Sequence, residues 1–560
     1  MARMIHPRTD AATSPKIHRL VRAGTVSKCR RTPMTNRLRT AVALFTMIAT
    51  PASLPAGEKT SRAAGNKPIP AELSGLRERW AAALDEFCVP GLAVVVVQND
   101  EVIYLDTFGY RDIEKKRPVT PDTQFYIASA TKPFTAMGIM TLVDAGRLRL
   151  DDPVKKHLPR LELPDAEMTE KLTVRDLLCH ARGINCAPVV FLDAYTGEIT
   201  DDRYFQLLRR HGSCSGRPQY SNIHFTLAGR VIEAVTGKSW RDYLEEAVFK
   251  PANMVTATGY ADRMYASDSA ATPYELSADG LAPARHRKSD NTMHAAGGLG
   301  ISIADLGRWL RLCMNNGEID GRRVLNSSSA AEMIQLHADA PEGRVRANKG
   351  FGLAWKVGAY MPGGPVYVSH GGGYIGAGAH VSFLPEKKIG VAIVTNAGAP
   401  AAVFADQIVS IDIYRKLLND KRIPDLLPMI REEVTERLPK EKARAAETAA
   451  RIASADVSKL KVPVENCIGE YANELFGTLR ISRHKDGLRL RIGELEIYPA
   501  SYDGTAFTVA ITGDFHDGRF DVEDDRVRAV TLRFDLGEIR FDRQQPRASR
   551  RPDRAPRLPR

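Results

Sequence analysis

Two groups of strand-like runs frame a long helical middle, and that spacing limits the fold more than any other feature of the chain. Leu92–Val97 and Val102–Phe108 are apolar-rich and split by Asn99-Asp100, which predicts a β-hairpin. Glu72–Phe87 before them has helical periodicity, and residues 150 to about 345 read mostly as helix and loop. Strand-like runs return at Gly352–Val357, Val366–Ser369, Ala379–Leu384 and Gly390–Thr395, and an amphipathic helix over about Val403–Leu418 follows. One domain, residues 70–420, therefore begins and ends in strands. The simplest packing is an α/β (α+β) fold: a largely antiparallel sheet flanked by helices, with the helical middle as an inserted lobe. A cleft between the lobes is the natural place for a site.

At 560 residues the chain is too long for a single ordinary core. Residues 421–462 read as a charged, Ala-rich helical linker. Residues 463–543 alternate apolar and polar with Gly and Asp turns, as in Leu488-Arg489-Leu490-Arg491-Ile492, which predicts a small all-β barrel or sandwich.

The net charge of +12 misleads, because residues 1–39 carry +9 and residues 543–560 carry +6, leaving the body near −3. A nucleic-acid-binding domain carries its basic residues on a folded face, so none is inferred. The tail, residues 544–560, reads as disordered. Residues 1–66 read as a basic N-terminus and a secretory signal peptide. Met34 to Arg39 is a short basic region, Ala41–Thr50 an apolar run too short to span a bilayer, and Pro51–Ala56 supplies small residues, with Met34 as the expected true start. An exported protein, periplasmic or extracellular, with no stable membrane span is expected. The seven cysteines are Cys29, Cys88, Cys179, Cys186, Cys214, Cys313 and Cys467. They form no CxxC pair and no zinc spacing, so no metal or other cofactor is implied. Cys186 and Cys214 bracket one loop-rich stretch and either pair or remain buried thiols.

The chemistry concentrates at Ser129-Ala130-Thr131-Lys132. A hydroxyl and an amine stand one helical turn apart on one face, at an expected helix start with Pro133 in the first turn. A partly desolvated lysine can take the serine's proton, and the helix start favours the anion formed when serine attacks a carbonyl. The same spacing at Ser458-Lys459-Leu460-Lys461 lies in the charged linker, with no apolar shell, and is set aside. Tyr220-Ser221-Asn222 enters a helix expected near Phe225; in an extended segment its Tyr and Asn point the same way. Ser369-His370-Gly371-Gly372-Gly373 closes a strand, where His370 can orient a substrate and the glycines let backbone approach a ligand. His180 reads as a structural histidine at a helix end. There is no HExxH, GxSxG or P-loop.

The order Ser-x-x-Lys, Tyr-x-Asn, then a basic residue followed by glycine on a late strand resembles the serine β-lactamase and penicillin-binding superfamily, most of all its class C β-lactamase-related branch. Supporting phrases are Leu172 to His180 (LTVRDLLCH), Ala296 to Gly300 (AGGLG) and Phe351 to Trp355 (FGLAW). The resemblance covers about residues 75–415, and the β domain resembles the lipocalin-like module appended to such hydrolases. It implies Ser129 as the acylated nucleophile, Lys132 as its base and Tyr220 as proton shuttle. It implies Asn222 as holder of the substrate amide, with the backbone N–H groups of Ser129 and Gly373 as the oxyanion hole. His370 and Gly371 stand where the family usually has Lys and a Thr or Ser hydroxyl, groups that grip a substrate carboxylate. Their loss implies weak β-lactam hydrolysis at most; the expected activity is that of an esterase, a D-aminopeptidase or a DD-peptidase-like enzyme, with an esterase or a peptidase acting away from a free C-terminus fitting better. His370, Gly371 and Gly372 remain expected substrate-binding positions, for a small-molecule or peptide substrate of cell-wall or other origin. The alternative is an idle module that only binds cell-wall peptide or a protein.

Overall fold

The computed structural model describes residues 69–339, 347–511, 514–534 and 537–544. The signal peptide expected within 1–66, Cys29 and the basic tail beyond Gln544 lie outside these residues.

Nine antiparallel strands form the main sheet. From one edge they run Ala338–Asp339, Ala347–Phe351, Lys356–Ala359, Val366–Tyr374, Ala377–Leu384, Ile389–Thr395, Gly91–Gln98, Glu101–Asp112 and Arg117–Pro118. The expected joining of early and late strands occurs between Gly91–Gln98 and Ile389–Thr395, with Leu92 opposite Thr395 and Gln98 opposite Ile389. The run Leu92–Val97 is buried on both faces because alternate side chains serve different cores. Ala93, Val95 and Val97 face the core shared with the helical lobe, while Leu92, Val94 and Val96 face Trp80, Ile408, Ile413 and Tyr414.

Two sequence expectations change in detail. The helix expected over Glu72–Phe87 is confined to Leu76–Ala81, preceded by a 3-10 turn at Ala71–Leu73, because Gly75 takes a left-handed conformation between them. Of the strand expected over Gly352–Val357, only Lys356 and Val357 are in a strand; residues 352–355 form the connection between Ala347–Phe351 and Lys356–Ala359. Gly352 N donates to Trp355 O (2.8 Å), Ala354 is left-handed, and the connection folds Leu353 and Trp355 into the core.

The expected linker is a helix, Leu427–Ala453, that begins inside the larger domain: Leu427, Ile430 and Val434 are buried in the core beside Trp80. Eight strands from Gly469–Asn473 to Gly537–Arg543 then close into a barrel. The described cysteines are free thiols; Cys186 Sγ faces Leu207 O (3.5 Å) and Cys214 Sγ faces Arg182 O (2.8 Å). Among the described residues no helix is long and apolar enough to cross a membrane.

An aromatic stack ties the sheet to the helix that follows Ser129. Trp309, on the helix Ile303–Met314, stacks on Phe134 (3.8 Å between centroids) and on Trp355 (6.4 Å). All three rings are buried. Trp309→Ala is expected to lower stability by about 3–5 kcal/mol, read as an earlier urea transition of the larger domain by circular dichroism.

Candidate active site

Ser129 lies on a short 3-10 turn, Ala128–Thr131, that leads directly into the helix Lys132–Asp144. Ala128 is left-handed (φ 47°), a conformation that costs an L-residue about 1–2 kcal/mol. The turn is pinned from both sides: Ile127 N donates to Leu299 O (3.0 Å), and Leu299 N donates to Thr131 Oγ1 (3.1 Å). Pro133 is the second residue of the helix, where its missing N–H leaves no bond unmade.

Residues 295–297 offer three successive carbonyls to this turn. Thr135 Oγ1 donates to Ala295 O (2.7 Å), Lys132 Nζ to Ala296 O (2.6 Å), and Tyr126 Oη to Gly297 O. The AGGLG phrase is therefore a clamp on the Ser129 turn. Its role is carried by backbone oxygens, which have no sequence signature.

Lys132 is fully buried. Its Nζ meets Ala296 O (2.6 Å), Asn222 Oδ1 (2.8 Å) and Ser129 Oγ (3.1 Å), and lies 4.8 Å from the centre of the Tyr220 ring. Burial pushes its pKa well below the ordinary lysine value. A neutral amine has two N–H groups and one lone pair. Ala296 O and Asn222 Oδ1 can only accept, so they take the two protons, and the lone pair is left for the Ser129 hydroxyl.

Tyr220 and Asn222 flank Ser221, the N-cap of the helix Asn222–Thr236, whose hydroxyl accepts from Ile223 N (3.2 Å). The helix thus begins three residues earlier than the sequence suggests. Ser221 is extended, which turns Tyr220 and Asn222 to the same side. Desolvation raises the Tyr220 pKa, against an opposing pull from a hydrogen bond with Ser129. The ring is 38% exposed, and contact with solvent tempers that shift.

His370 is 3% exposed and faces Tyr220, with ring centres 6.1 Å apart. Its Nδ1 lies 2.7 Å from Gly371 O. A carbonyl only accepts, so Nδ1 carries the proton and Nε2 is an acceptor. Burial above all, reinforced by the positive charge of Lys356, holds its pKa well below the ordinary histidine value. The third motif therefore offers a neutral imidazole instead of a cation. Gly372, on the same strand face as His370, makes the close approach: an added Cβ would fall 2.0 Å from Ile127 O and 3.1 Å from Ala130 N. A Cβ on Gly373, the other expected oxyanion residue, would meet open space.

His180 does more than end a helix. Ile184 N donates to His224 Nε2 (3.1 Å), which places the His224 proton on Nδ1, 2.7 Å from His180 Nδ1. His180 Nδ1 also accepts from Ser221 N (3.3 Å), and its ring packs on Tyr220 at 4.7 Å. This histidine pair holds the Tyr220-Ser221-Asn222 segment, a role the sequence reading missed because the two residues are 44 positions apart. Ser458, by contrast, is exposed and gives its hydroxyl to Asp456 (2.7 Å), and Lys461 is exposed. Among the described residues no cluster of His, Cys, Asp and Glu could hold a metal ion.

A buried amine on a serine hydroxyl, beside a two-faced antiparallel sheet, defines the class of active-site-serine proteins of the β-lactamase and penicillin-binding type. The comparisons agree: the Beta-lactamase family model matches residues 77–414, more than half of the chain, and the protein belongs to that family. Penicillin-binding protein 4 of Amycolatopsis lactamdurans is 30% identical over 362 residues, covering 63% of this chain and 91% of the relative. Protein flp of Staphylococcus aureus (strain COL) is 25% identical over 349 residues, 61% of this chain and 66% of that protein, so slightly under two thirds of its length is spanned. Among solved structures, the octameric penicillin-binding protein homologue from Pyrococcus abyssi shares the fold (TM-score 0.54, 23% identity, 84% of this chain and 100% of that chain).

Replacing Gly372 by valine forces the His370 strand away from the Ser129 turn. Gly372→Val is expected to lower stability by about 1–3 kcal/mol, measured by thermal melting, with Gly373→Ala as the tolerated control.

Proposed function

We propose that the protein is an exported serine hydrolase that works through an acyl-enzyme on esters or amides, acting as an esterase, D-aminopeptidase or peptidase and as a weak β-lactamase at most. The observation that carries this reading is the occupancy of Lys132 Nζ: two acceptors hold its protons and the remaining position faces Ser129 Oγ at 3.1 Å. Ser129 Oγ attacks the substrate carbonyl while its proton passes to the Lys132 lone pair. The oxyanion is received by the backbone N–H groups of Ser129 and Gly373. The proton then reaches the leaving group through Tyr220, whose raised pKa keeps it a neutral phenol able to donate and accept. Water attacks the acyl-enzyme with the same groups in reverse order.

Two observations favour Lys132 over Tyr220 as the first base: full burial favours the neutral, basic form of the lysine, and the raised pKa of Tyr220 favours its protonated form. Asn222 spends its oxygen on Lys132 and keeps its amide N–H groups for a substrate carbonyl. His370 presents an acceptor nitrogen, which repels a carboxylate oxygen, and this disfavours substrates ending in a free carboxylate. Small esters and peptides, cell-wall-derived ones among them, are the proposed substrates. A binding-only module has no use for a desolvated amine beside a serine.

Fluorophosphonate labelling tests the reading. Wild type is expected to label at Ser129, and Ser129→Ala to remain unlabelled. Lys132→Ala is expected to slow acylation by about two to four orders of magnitude; a change under twofold would move the base role to Tyr220. p-Nitrophenyl esters are expected to turn over faster than nitrocefin.

The pH profile follows from the same groups. Only the neutral Lys132 amine accepts a proton, so kcat/KM is expected to be full above its depressed pKa and to fall as pH drops through it. His370→Asn is expected to leave that acid limb in place. A limb that vanishes with His370 would assign the titration to the imidazole.

A further inference from the structure

The segment that supplies Lys132 with its carbonyl has no ladder to set its shape. Residues 284–299, between the strands Gly280–Pro283 and Gly300–Ser302, form no helix or strand. A carbonyl taken out of water in such a segment needs a donor from a side chain or a turn, and those donors fix the backbone. Ala295 O, Ala296 O and Gly297 O meet Thr135, Lys132 and Tyr126. Just before them, three more carbonyls meet two cations. Arg241 Nη2 donates to Asp290 O (2.7 Å) and Met293 O (2.6 Å), and Lys288 Nζ donates to Thr292 O (3.2 Å). The two sets adjoin with little slack between them. Gly297 N donates to His294 O (2.9 Å), and a Cβ on Gly298 would fall 2.6 Å from His294 N.

Lys288 is buried, and it ties this loop to a second one. Its Nζ also donates to Ala194 O (2.6 Å) and lies 4.0 Å from the centre of the Tyr374 ring. Ala194 belongs to the π-turn Leu192–Thr196, on which the barrel turn Gly493-Glu494 docks. Glu494 N donates to Thr196 O (2.8 Å), and a Cβ on Gly493 would fall 1.9 Å from Thr196 O. Burial pushes the Lys288 pKa down to about 7, against the charge of Asp193, which raises it. A neutral amine still has two N–H groups, one for each carbonyl, so the grip is the same in either protonation state. Arg241 is anchored by rings: its guanidinium lies 5.3 Å from the centre of Trp240 and 5.2 Å from that of Tyr260.

We propose that Lys288 and Arg241 are positioning residues for the general base: they hold the loop 289–297 so that Ala296 O stays on Lys132 Nζ and water stays off it. The proposal rests on the hydrolase reading above and adds to it two residues that act through the loop backbone. Ala296 O takes one of the two protons of the neutral Lys132 amine. If the loop moves away, that proton needs another acceptor. The amine then turns or admits water, and its lone pair no longer faces Ser129 Oγ. Burial alone depresses the Lys132 pKa, with no contribution from a neighbouring charge, so loss of the cation at 288 or 241 does not by itself move it. Entry of water does, toward the ordinary lysine value.

The test reads the rate constant of fluorophosphonate labelling at Ser129 against pH in wild type, Lys288→Met and Arg241→Met. Methionine keeps an unbranched apolar stem and removes the N–H groups. A rate constant does not depend on the fraction of molecules folded, so partial unfolding cannot mimic the effect. Both variants are expected to label about ten- to a hundredfold more slowly than wild type at neutral pH. Their acid limb is expected to lie at higher pH by about half a unit or more. Hydrogen exchange of amides 289–298 is expected to speed up, a readout that needs no chemistry at Ser129. Asn291→Ala removes only the contact of Asn291 Nδ2 with Glu494 Oε1 (3.2 Å) and is expected to keep the wild-type limb. A limb that stays in place in Lys288→Met, whatever the rate, overturns the proposal, as does exchange no faster than in wild type. If Lys288→Met does not fold, Arg241→Met decides by the same criteria. A limb that moves equally in Asn291→Ala also overturns it, because any disturbance of the loop would then suffice. A wild type that takes no label sinks the hydrolase reading and this one with it, whereas a wild type that labels beside variants with its limb sinks the positioning role alone.

Discussion

The burial of one amine organises the site. A lysine removed from water must find acceptors for its protons or lose one of them, and Lys132 does both. The surrounding structure is arranged to make that tolerable. Residues 295–297 present carbonyls to Thr135, Lys132 and Tyr126, Asn222 supplies the second acceptor, and Ala128 takes a left-handed backbone so that Ser129 meets the amine. Three separate parts of the chain thus converge on one nitrogen and its neighbours. Removing any of them leaves either an unpaired polar atom or a displaced hydroxyl, which ties local stability to chemistry.

The sheet converts this local arrangement into a selective one. Gly372 lets the Val366–Tyr374 strand lie against the Ser129 turn, and the same strand carries His370 on one side of that contact and Tyr374 beyond it. A neutral imidazole with an outward acceptor is a different recognition element from a lysine. It can accept from a substrate N–H or O–H and offers nothing to a carboxylate.

Much of this was legible from sequence. Ser129 and Lys132 were readable because helical spacing sets their mutual distance, and Tyr220 and Asn222 because an extended residue between them sets their direction. The long apolar strands, the barrel and the family were readable for similar reasons: each depends on short-range pattern. What escaped depends on contacts between distant backbone atoms or on turns that imitate strands. Ala296 contributes an oxygen that any residue would supply. His180 and His224 find each other only in the folded chain. Residues 352–355 have strand-like composition, yet their large side chains are needed in the core, and the backbone turns to deliver them. The docking of Gly493 on Thr196 joins two domains and leaves only a glycine in a turn as its trace.

The strand order has a further consequence. One pair in the sheet joins Gly91–Gln98 to Ile389–Thr395, so roughly three hundred residues separate partners that lie side by side. The first hairpin exposes two apolar faces until the last strands arrive, and closing so large a loop before any reward is entropically slow. Assembly of the core must therefore wait for synthesis of nearly the whole domain. During that interval the nascent chain has no native shelter for this strongly apolar strand.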